Sequence, residues 1–133
     1  MTPSETEAAL EAAVAGLTYA SETDAPWTAF VWPDAGGSPT AEAVKKRVRC
    51  PAKSPVAQQT VEGLLGPLAE EQEWFGEAEK AAAARHRSLR DLLRERLTDA
   101  TVFRIGKVKV AVCIVGRAKE GGWAGVRTTA VET

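Results

Sequence analysis

The amino-acid sequence predicts an α+β fold, in the form of an α/β/α sandwich with a mostly antiparallel central sheet. Residues 76–97 are rich in strong helix formers, whereas the last third of the chain alternates apolar and polar residues between turns. The run 107–116 is apolar on both sides through its middle. A strand of that kind needs cover on both faces of its sheet, so helices are expected on each side.

The first element is a helix over residues 4–15. Ser4 and Glu7 have the spacing of a capping box, apolar residues recur at helical intervals, and Gly16 follows as a stop signal. A strand is expected at 27–32, because "WTAFVW" is rich in aromatic and β-branched residues and lies between two prolines.

Two short elements are predicted in the middle of the chain, before the long helix. The stretch "AVKKRVRC", residues 43–50, favours a short exposed strand. The stretch "SPVAQQTVEGLL", residues 54–65, favours a short helix that is capped by Ser54 and has Pro55 in its first turn. The long helix of residues 76–97 follows, and four leucines mark its apolar face: Leu89, Leu92, Leu93 and Leu97.

Three strands are predicted after the long helix. They span 101–105, 107–116 and Trp123 to the last residue, with turns at Gly106 and in "AKEGG". The final run, "TTAVET", keeps a strand-like alternation up to Thr133, whereas chain ends are mostly frayed and polar. If that run is paired in the sheet, the hydroxyl and the carboxylate of Thr133 are held in a defined place.

Length and composition predict one domain, residues 1–133, with a single hydrophobic core. Hydrophobic residues at 44% and charged residues at 26% are ordinary values for a globular protein. The net charge of −1 differs from the strongly basic balance of a typical nucleic-acid-binding domain. There is neither a secretory leader nor an apolar run of about 20 residues, so a soluble, cytoplasmic protein with no membrane partner is expected.

The residues needed for catalysis or metal binding do not form a recognisable pattern. The only histidine, His86, lies among arginines on a helix face that is expected to be solvated, and no serine or cysteine has a nucleophile setting. Cys50 and Cys113 have no zinc-ligand spacing and are expected to be free thiols. The glycines of "KEGGWAG" precede a strand, which favours a hairpin turn over a phosphate-binding loop. We therefore expect a protein that is not an enzyme and has no cofactor of its own.

Charged residues mark three candidate binding segments. Five cations within residues 45–53 create a local positive field, although ordinary solvated surface is the commoner explanation: Lys45, Lys46, Arg47, Arg49 and Lys53. Glu22 and Asp24 lie in a segment that is expected to be a displayed loop. Acidic residues surround Trp74, and spacing alone leaves open an interface anchor or a core tryptophan beside an acid-rich helix start: Glu70, Glu71, Glu73, Glu77 and Glu79.

Four stretches of the chain together resemble the nuclease A inhibitor family. They are "GLTYASETDAPWTAFVW", "EQEWFGEAEK", "VFRIGKVKVAVCIVG" and "GWAGVRTTAVET". The similarity is colinear over nearly the whole chain and is strongest over residues 16–32 and 101–133. What makes the resemblance specific is the combination of a Ser-Glu pair before the proline-aromatic strand with a closing T-x-x-V-E-T.

The resemblance implies an α/β/α sandwich and a protein that binds one-to-one and plugs the active site of a sugar-non-specific nuclease. That nuclease would be a Mg²⁺-dependent endonuclease of the ββα-metal type, and the Mg²⁺ would belong to the nuclease. The position that matches the family's phosphate mimic is Glu22, so the inhibitor would act as a DNA mimic. Thr133 matches the family's terminal threonine, which reaches the catalytic metal.

A second contact implied by the resemblance matches Glu73 and Trp74, where the family has an aspartate before the tryptophan. Asp24 and Glu132 are additional candidate contacts because they neighbour Glu22 and Thr133 in the sequence. The alternative function is that of a diverged relative, which binds a protein or nucleic acid through its basic segment, residues 45–53.

Overall fold

The computed structural model describes residues 3–20, 24–51, 53–119 and 121–131. Within these ranges the chain forms four helices and seven strands. In chain order they are α1 (Pro3–Val14), β1 (Thr18–Ala20), β2 (Asp24–Pro26), β3 (Thr28–Trp32), α2 (Ala41–Arg47), β4 (Val56–Gln59), α3 (Val61–Ala69), α4 (Glu77–Arg96), β5 (Leu97–Ile105), β6 (Lys109–Ala118) and β7 (Trp123–Val131).

Five strands form one antiparallel sheet in the order β3-β7-β6-β5-β4, and β1 pairs with β2 in a small separate sheet. Strands β6 and β7 pair from Lys109↔Val131 to Arg117↔Trp123. The turn between β5 and β6 requires a glycine, because Gly106 has a φ of +118° and a Cβ there would lie 2.3 Å from the Lys109 carbonyl oxygen. The predicted antiparallel sheet is confirmed.

Helices cover both faces of this sheet, as the apolar middle of β6 predicts. One face packs against α1, α3 and α4, whose fully buried side chains include Leu10, Leu65 and Leu89. The opposite face packs against α2, where Val44 belongs to the same buried cluster as Phe103. The α+β fold class and its three-layer arrangement are therefore confirmed. In the part of the chain described here, no helix is both long enough and apolar enough to cross a bilayer.

The predicted strand at 43–50 is wrong, because residues Ala41–Arg47 form helix α2. Thr40 caps this helix: its hydroxyl accepts a hydrogen bond from the Ala43 amide at 3.3 Å. Val44 and Val48, four residues apart, both pack into the buried cluster beneath the helix. Packing of this apolar face against the sheet therefore outweighs the strand preference of the valines.

The predicted helix at 54–65 is wrong in its first half. Residues Val56–Gln59 form strand β4, which pairs antiparallel with β5 at the edge of the sheet. The Pro55 carbonyl accepts a hydrogen bond from the Gly106 amide at 2.9 Å, so the region assigned to the helix start extends the strand pairing. Helix α3 starts later, and the Thr60 hydroxyl caps it by accepting a bond from the Gly63 amide at 2.9 Å.

The remaining elements agree with the prediction apart from their ends. Helix α4 begins after Gly76, as expected, but β5 begins directly at Leu97. The pairing of β5 with β6 shifts between Thr98 and Thr101, and Asp99 between them has a φ of +55°. This irregularity is a bulge. It interrupts the alternation of inward and outward side chains in β5, which is why the sequence pattern did not indicate a strand before residue 101.

Candidate functional site

Several of the predicted site residues lie outside the described residues: Glu22, Glu132 and Thr133. The backbone of Asp24 is described and belongs to β2. The predicted final strand, from Trp123 to the last residue, is confirmed as far as Val131, and the last two residues lie outside the described residues. The structure therefore defines the elements next to these positions, which are β1 and β2 around Glu22 and β7 before Glu132 and Thr133.

Strand β2 lies directly beside the end of β7. The buried Thr128 hydroxyl is within hydrogen-bond distance of two carbonyl oxygens of β2, Ala25 at 3.3 Å and Pro26 at 3.0 Å. Strands β1 and β2 pair with each other, and Ala20 at the end of β1 is paired with Asp24 at the start of β2. The two strands that flank Glu22 are thus tied to the strand that precedes Thr133.

Aromatic packing fixes the small sheet to the core. Trp27, directly after β2, is almost fully buried and meets the Tyr19 ring edge-on at a centroid distance of 5.7 Å. The Trp27 amide also donates a hydrogen bond to the Leu17 carbonyl at 3.1 Å. Both ends of the β1–β2 segment are therefore anchored in the same apolar cluster.

Helix α4 contributes a further anchor through Arg85. Its guanidinium Nη2 donates hydrogen bonds to the carbonyl oxygens of Ala13 and Ala15, at 2.9 and 2.8 Å. These carbonyls belong to the end of α1, where the last turn has no intrahelical donors left and carries partial negative charge. Arg85 therefore fixes the end of α1, and with it the start of β1, against α4.

Glu73 and Trp74 lie in the turn between α3 and α4. Phe75 closes the turn, since its amide donates to the Gln72 carbonyl at 3.0 Å. The Trp74 side chain is 75% exposed and contacts the Phe75 ring edge-on at 4.6 Å. A tryptophan buried beneath an acid-rich helix start is therefore excluded, and the exposed-anchor interpretation remains.

Five acidic residues lie near Trp74 in the chain, between Glu70 and Glu79. All five acidic residues near it are exposed, and one of them, Glu79, accepts a hydrogen bond from the Gly76 amide at 3.1 Å at the start of α4. The other four acidic side chains are exposed in or directly next to the turn that carries Trp74: Glu70, Glu71, Glu73 and Glu77.

Trp74 and the β2–β7 contact lie at the same end of the molecule. Helix α4 passes into β5 without a linker and packs on the sheet, so the two elements run in opposite directions. The 20 residues of α4 and the nine of β5 each span about 30 Å, so the start of α4 reaches the level at which β5 ends. Strand β7 ends at that same level, beside β2.

The arginines of α4 bind neighbouring helices. Arg87 donates to the Ala69 carbonyl at the end of α3 at 3.0 Å. Arg90 and Arg94 approach the Glu62 carboxylate at 3.5 and 2.6 Å. Arg85 and Arg87 thus donate hydrogen bonds to carbonyls at helix ends, and Arg90 and Arg94 pair with one surface carboxylate. These contacts explain why a helix beside an acidic turn carries so many cations.

The basic segment at 45–53 is not a continuous cationic surface. Lys45 is buried and lies 3.8 Å from the Glu42 carboxylate. Arg47 binds both oxygens of Asp34 at 3.0 Å and lies over the ring of Trp32. These hydrogen bonds lower the pKa of Asp34. Two of the five cations are thus held within the fold, which disfavours nucleic-acid binding here.

His86 is not on a solvated face, contrary to the sequence-based expectation. Its side chain is buried, and its Nδ1 lies 2.8 Å from the Ala82 carbonyl oxygen, as a donor in the neutral ring. Burial lowers the pKa of His86. Cys50 and Cys113 are free thiols, as predicted, and burial raises the pKa of Cys113 to about 12. Among the described residues, no three His, Cys, Asp or Glu side chains are grouped as metal ligands.

Two residues that position this end of the molecule, Thr128 and Arg85, were not predicted from the sequence. A threonine on the inward face of a buried strand signals a hydrogen-bond partner, because a buried hydroxyl is rarely left unpaired. Arg85 offered no such signal, because its partners are backbone carbonyls 72 and 70 residues away in the chain.

Comparison with known proteins gives one family. The sequence model of the family described as nuclease A inhibitor-like protein matches residues 4–133. No curated protein matches the chain.

Proposed function

The chain belongs to the nuclease A inhibitor-like family, and we propose that it binds and inhibits a Mg²⁺-dependent, sugar-non-specific endonuclease of the ββα-metal type. It forms a one-to-one complex that covers the active site of the nuclease. It catalyses no reaction of its own, and the Mg²⁺ ion belongs to the partner. Besides the family match, the observation that carries this proposal is Trp74, exposed among carboxylates at the end of the molecule where β2 and β7 meet.

Glu22 is the proposed phosphate mimic. A nuclease cleft is built to attract the negative backbone of a nucleic acid, so a carboxylate on a fixed support competes for the same site. Support comes from the anchoring of the flanking strands, since the Tyr19–Trp27 contact and the Thr128 hydrogen bonds restrain both. Restraint before binding lowers the entropy cost of association. Asp24 adds a second negative charge two residues further along the chain.

Thr133 is the proposed contact to the nuclease metal, and Glu132 is a neighbouring contact. Mg²⁺ prefers oxygen ligands, and a hydroxyl or a carboxylate supplies them. Support comes from β7, which is paired with β3 up to Arg127 and with β6 up to Lys109↔Val131. The pairing with β6 up to Val131 defines the direction in which the chain continues.

Glu73 and Trp74 form the proposed second contact. Exposed tryptophans that fill a pocket of a partner often dominate binding energy, and surrounding polar groups exclude water from the contact. The carboxylates around Trp74 suit the basic surroundings of a nuclease cleft. Among the arginines of α4, Arg94 is paired with the Glu62 carboxylate, whereas Arg87 donates to the neutral Ala69 carbonyl and keeps its positive charge.

The proposal is tested by measuring the inhibition constant of the protein in a DNA-cleavage assay. Glu22→Gln removes the charge and keeps the shape, so we expect an inhibition constant about 100-fold higher. Thr133→Val removes the hydroxyl, and we expect a rise of about tenfold or more. The matched control is Glu95→Gln, an exposed carboxylate in the last turn of α4 at the opposite end, with an effect within about twofold.

The result that would overturn the assignment is equal inhibition by wild type and by both site variants, with all proteins folded by circular dichroism. Equal losses for Glu95→Gln and Glu22→Gln would also overturn it, because the effect would then reflect overall charge rather than a site.

A further inference from the structure

Two large hydrophobic side chains are exposed within the described residues, and both lie at the same end of the fold. Trp74 is 75% exposed and Val108 is 54% exposed. The sequence pattern placed Val108 inside a strand, but it lies in the turn between β5 and β6, one residue before Lys109. Val108 therefore shares an end of the fold with Trp74, which belongs to the proposed contact with the nuclease.

The β5–β6 turn, residues 106–108, lies next to the end of β7. Lys109, the first residue of β6, pairs with Val131, the last described residue of β7. On the other side of β7, Thr128 binds β2. The end of β7 is therefore flanked by β2 on one side and by the β5–β6 turn on the other.

The turn has a restrained backbone. Gly106 adopts a φ of +118°, and its amide donates to the Pro55 carbonyl at 2.9 Å. The tight fit around Gly106 leaves no room for a side chain there. Val108 is thus presented on a fixed support, which limits the ordering cost when a partner covers it.

The charge of this turn is opposite to that of the surface around Trp74. Lys107 and Lys109 flank Val108 and are exposed, and within the described ranges neither lysine has an ion-pair partner. One end of the molecule therefore carries acids around Trp74 and cations around Val108. A surface with both signs fixes the orientation of its partner, because each sign rejects like charge on the other protein.

We propose that the β5–β6 turn is an orienting contact for the inhibited nuclease. Val108 packs on an apolar patch beside the cleft, and Lys107 and Lys109 pair with carboxylates that lie outside the basic cleft. This inference rests on the proposed function and adds a feature of the partner to it. An acidic surface alone would suit any phosphate-binding cleft, whereas the cationic turn selects clefts that have acidic residues on one side.

The test is the dissociation constant with the nuclease that the wild-type protein inhibits, measured by calorimetry, with association rates by stopped flow. Lys107→Glu reverses one charge, and we expect binding about tenfold weaker, mainly through slower association at low salt. The matched control, Lys119→Glu, reverses an exposed charge in the β6–β7 turn at the opposite end, and we expect a change within about twofold.

Val108→Ser tests the apolar contact separately. We expect binding about tenfold weaker, mainly through faster dissociation, while the urea midpoint stays unchanged because the side chain is exposed. Binding of Lys107→Glu and Val108→Ser within twofold of wild type, while Trp74→Ala is weakened, would overturn the orienting contact and leave the proposed function intact. If Trp74→Ala and Glu22→Gln also bind the nuclease within twofold of wild type, the proposed function itself is overturned.

Discussion

Replacing Trp74 by alanine is the sharpest single perturbation of the proposed interface. The side chain is 75% exposed, and a whole tryptophan presents about 250 Å², so about 190 Å² is available to a partner. At about 25 cal/mol/Å², full burial of this area corresponds to about 5 kcal/mol. Ordering and desolvation reduce the realised value, so we expect about 2–4 kcal/mol, or a dissociation constant about 30- to 700-fold higher.

The same change should leave folding almost untouched. The indole contacts Phe75 edge-on, and an aromatic pair of this kind contributes about 1 kcal/mol. We therefore expect the free energy of unfolding in urea to fall by no more than about 1 kcal/mol. This separation between binding and stability is what distinguishes an interface anchor from a core residue, whose loss would cost about 3–5 kcal/mol.

The assay is isothermal titration of nuclease with Trp74→Ala, next to a DNA-cleavage assay at matched concentrations. Gln72→Ala is the control, because Gln72 lies in the same turn with an exposed side chain. An unchanged dissociation constant for folded Trp74→Ala would show that Trp74 is not an interface anchor. An equal loss for Gln72→Ala would show the same, because it would indicate a nonspecific effect of the turn.

Two further predictions concern the fold that supports the site. Because burial lowers the pKa of His86 below its ordinary value of 6.5, the unfolded chain takes up a proton first as pH falls. Stability should therefore decline from about pH 7.5 towards pH 5.5, and His86→Gln should flatten this slope in urea midpoints; an identical slope would contradict it. Arg85→Ala removes two hydrogen bonds to the end of α1, so we expect a loss of about 1–2 kcal/mol and faster amide exchange in β1 and β2. Arg94→Ala, whose partner Glu62 is at the surface, should cost about 0.5 kcal/mol, and equal effects of the two variants would count against the anchoring role of Arg85.

The parts of the fold that sequence predicted well are those with a strong, regular pattern. Helix α4 has many strong helix formers and one leucine face, and it forms within a residue of the predicted bounds 76–97. The three strands after it have long β-branched runs, and β6 is buried on both faces as its composition requires. In these elements local preference and tertiary packing agree, which is why pattern alone was sufficient.

The parts that sequence missed depend on contacts between distant residues. Strand β4 exists because β5 offers it an edge, and α2 exists because Val44 fills the cluster on that face. The three-residue strands β1 and β2 have no pattern of their own and are held by Thr128 and Trp27. None of these partners can be read from neighbouring residues in the chain.

The candidate site shows the same division. The acids around Trp74 were visible in the sequence, but their pattern fits an interface and a helix start equally well, and only the exposure of the indole decides between them. Val108 was assigned to a strand because the valine alternation runs through the turn. Its exposure follows from the position of Gly106, which ends the pairing of β5.

A titration of nuclease activity tests directly whether the protein inhibits a nuclease. The nuclease is a Mg²⁺-dependent, sugar-non-specific endonuclease from the organism that encodes this chain. Its concentration is held well above the expected dissociation constant, and cleavage of DNA is measured as the protein is added. We expect activity to fall linearly and to reach zero at one equivalent. Full activity in the presence of several equivalents of folded protein would contradict it.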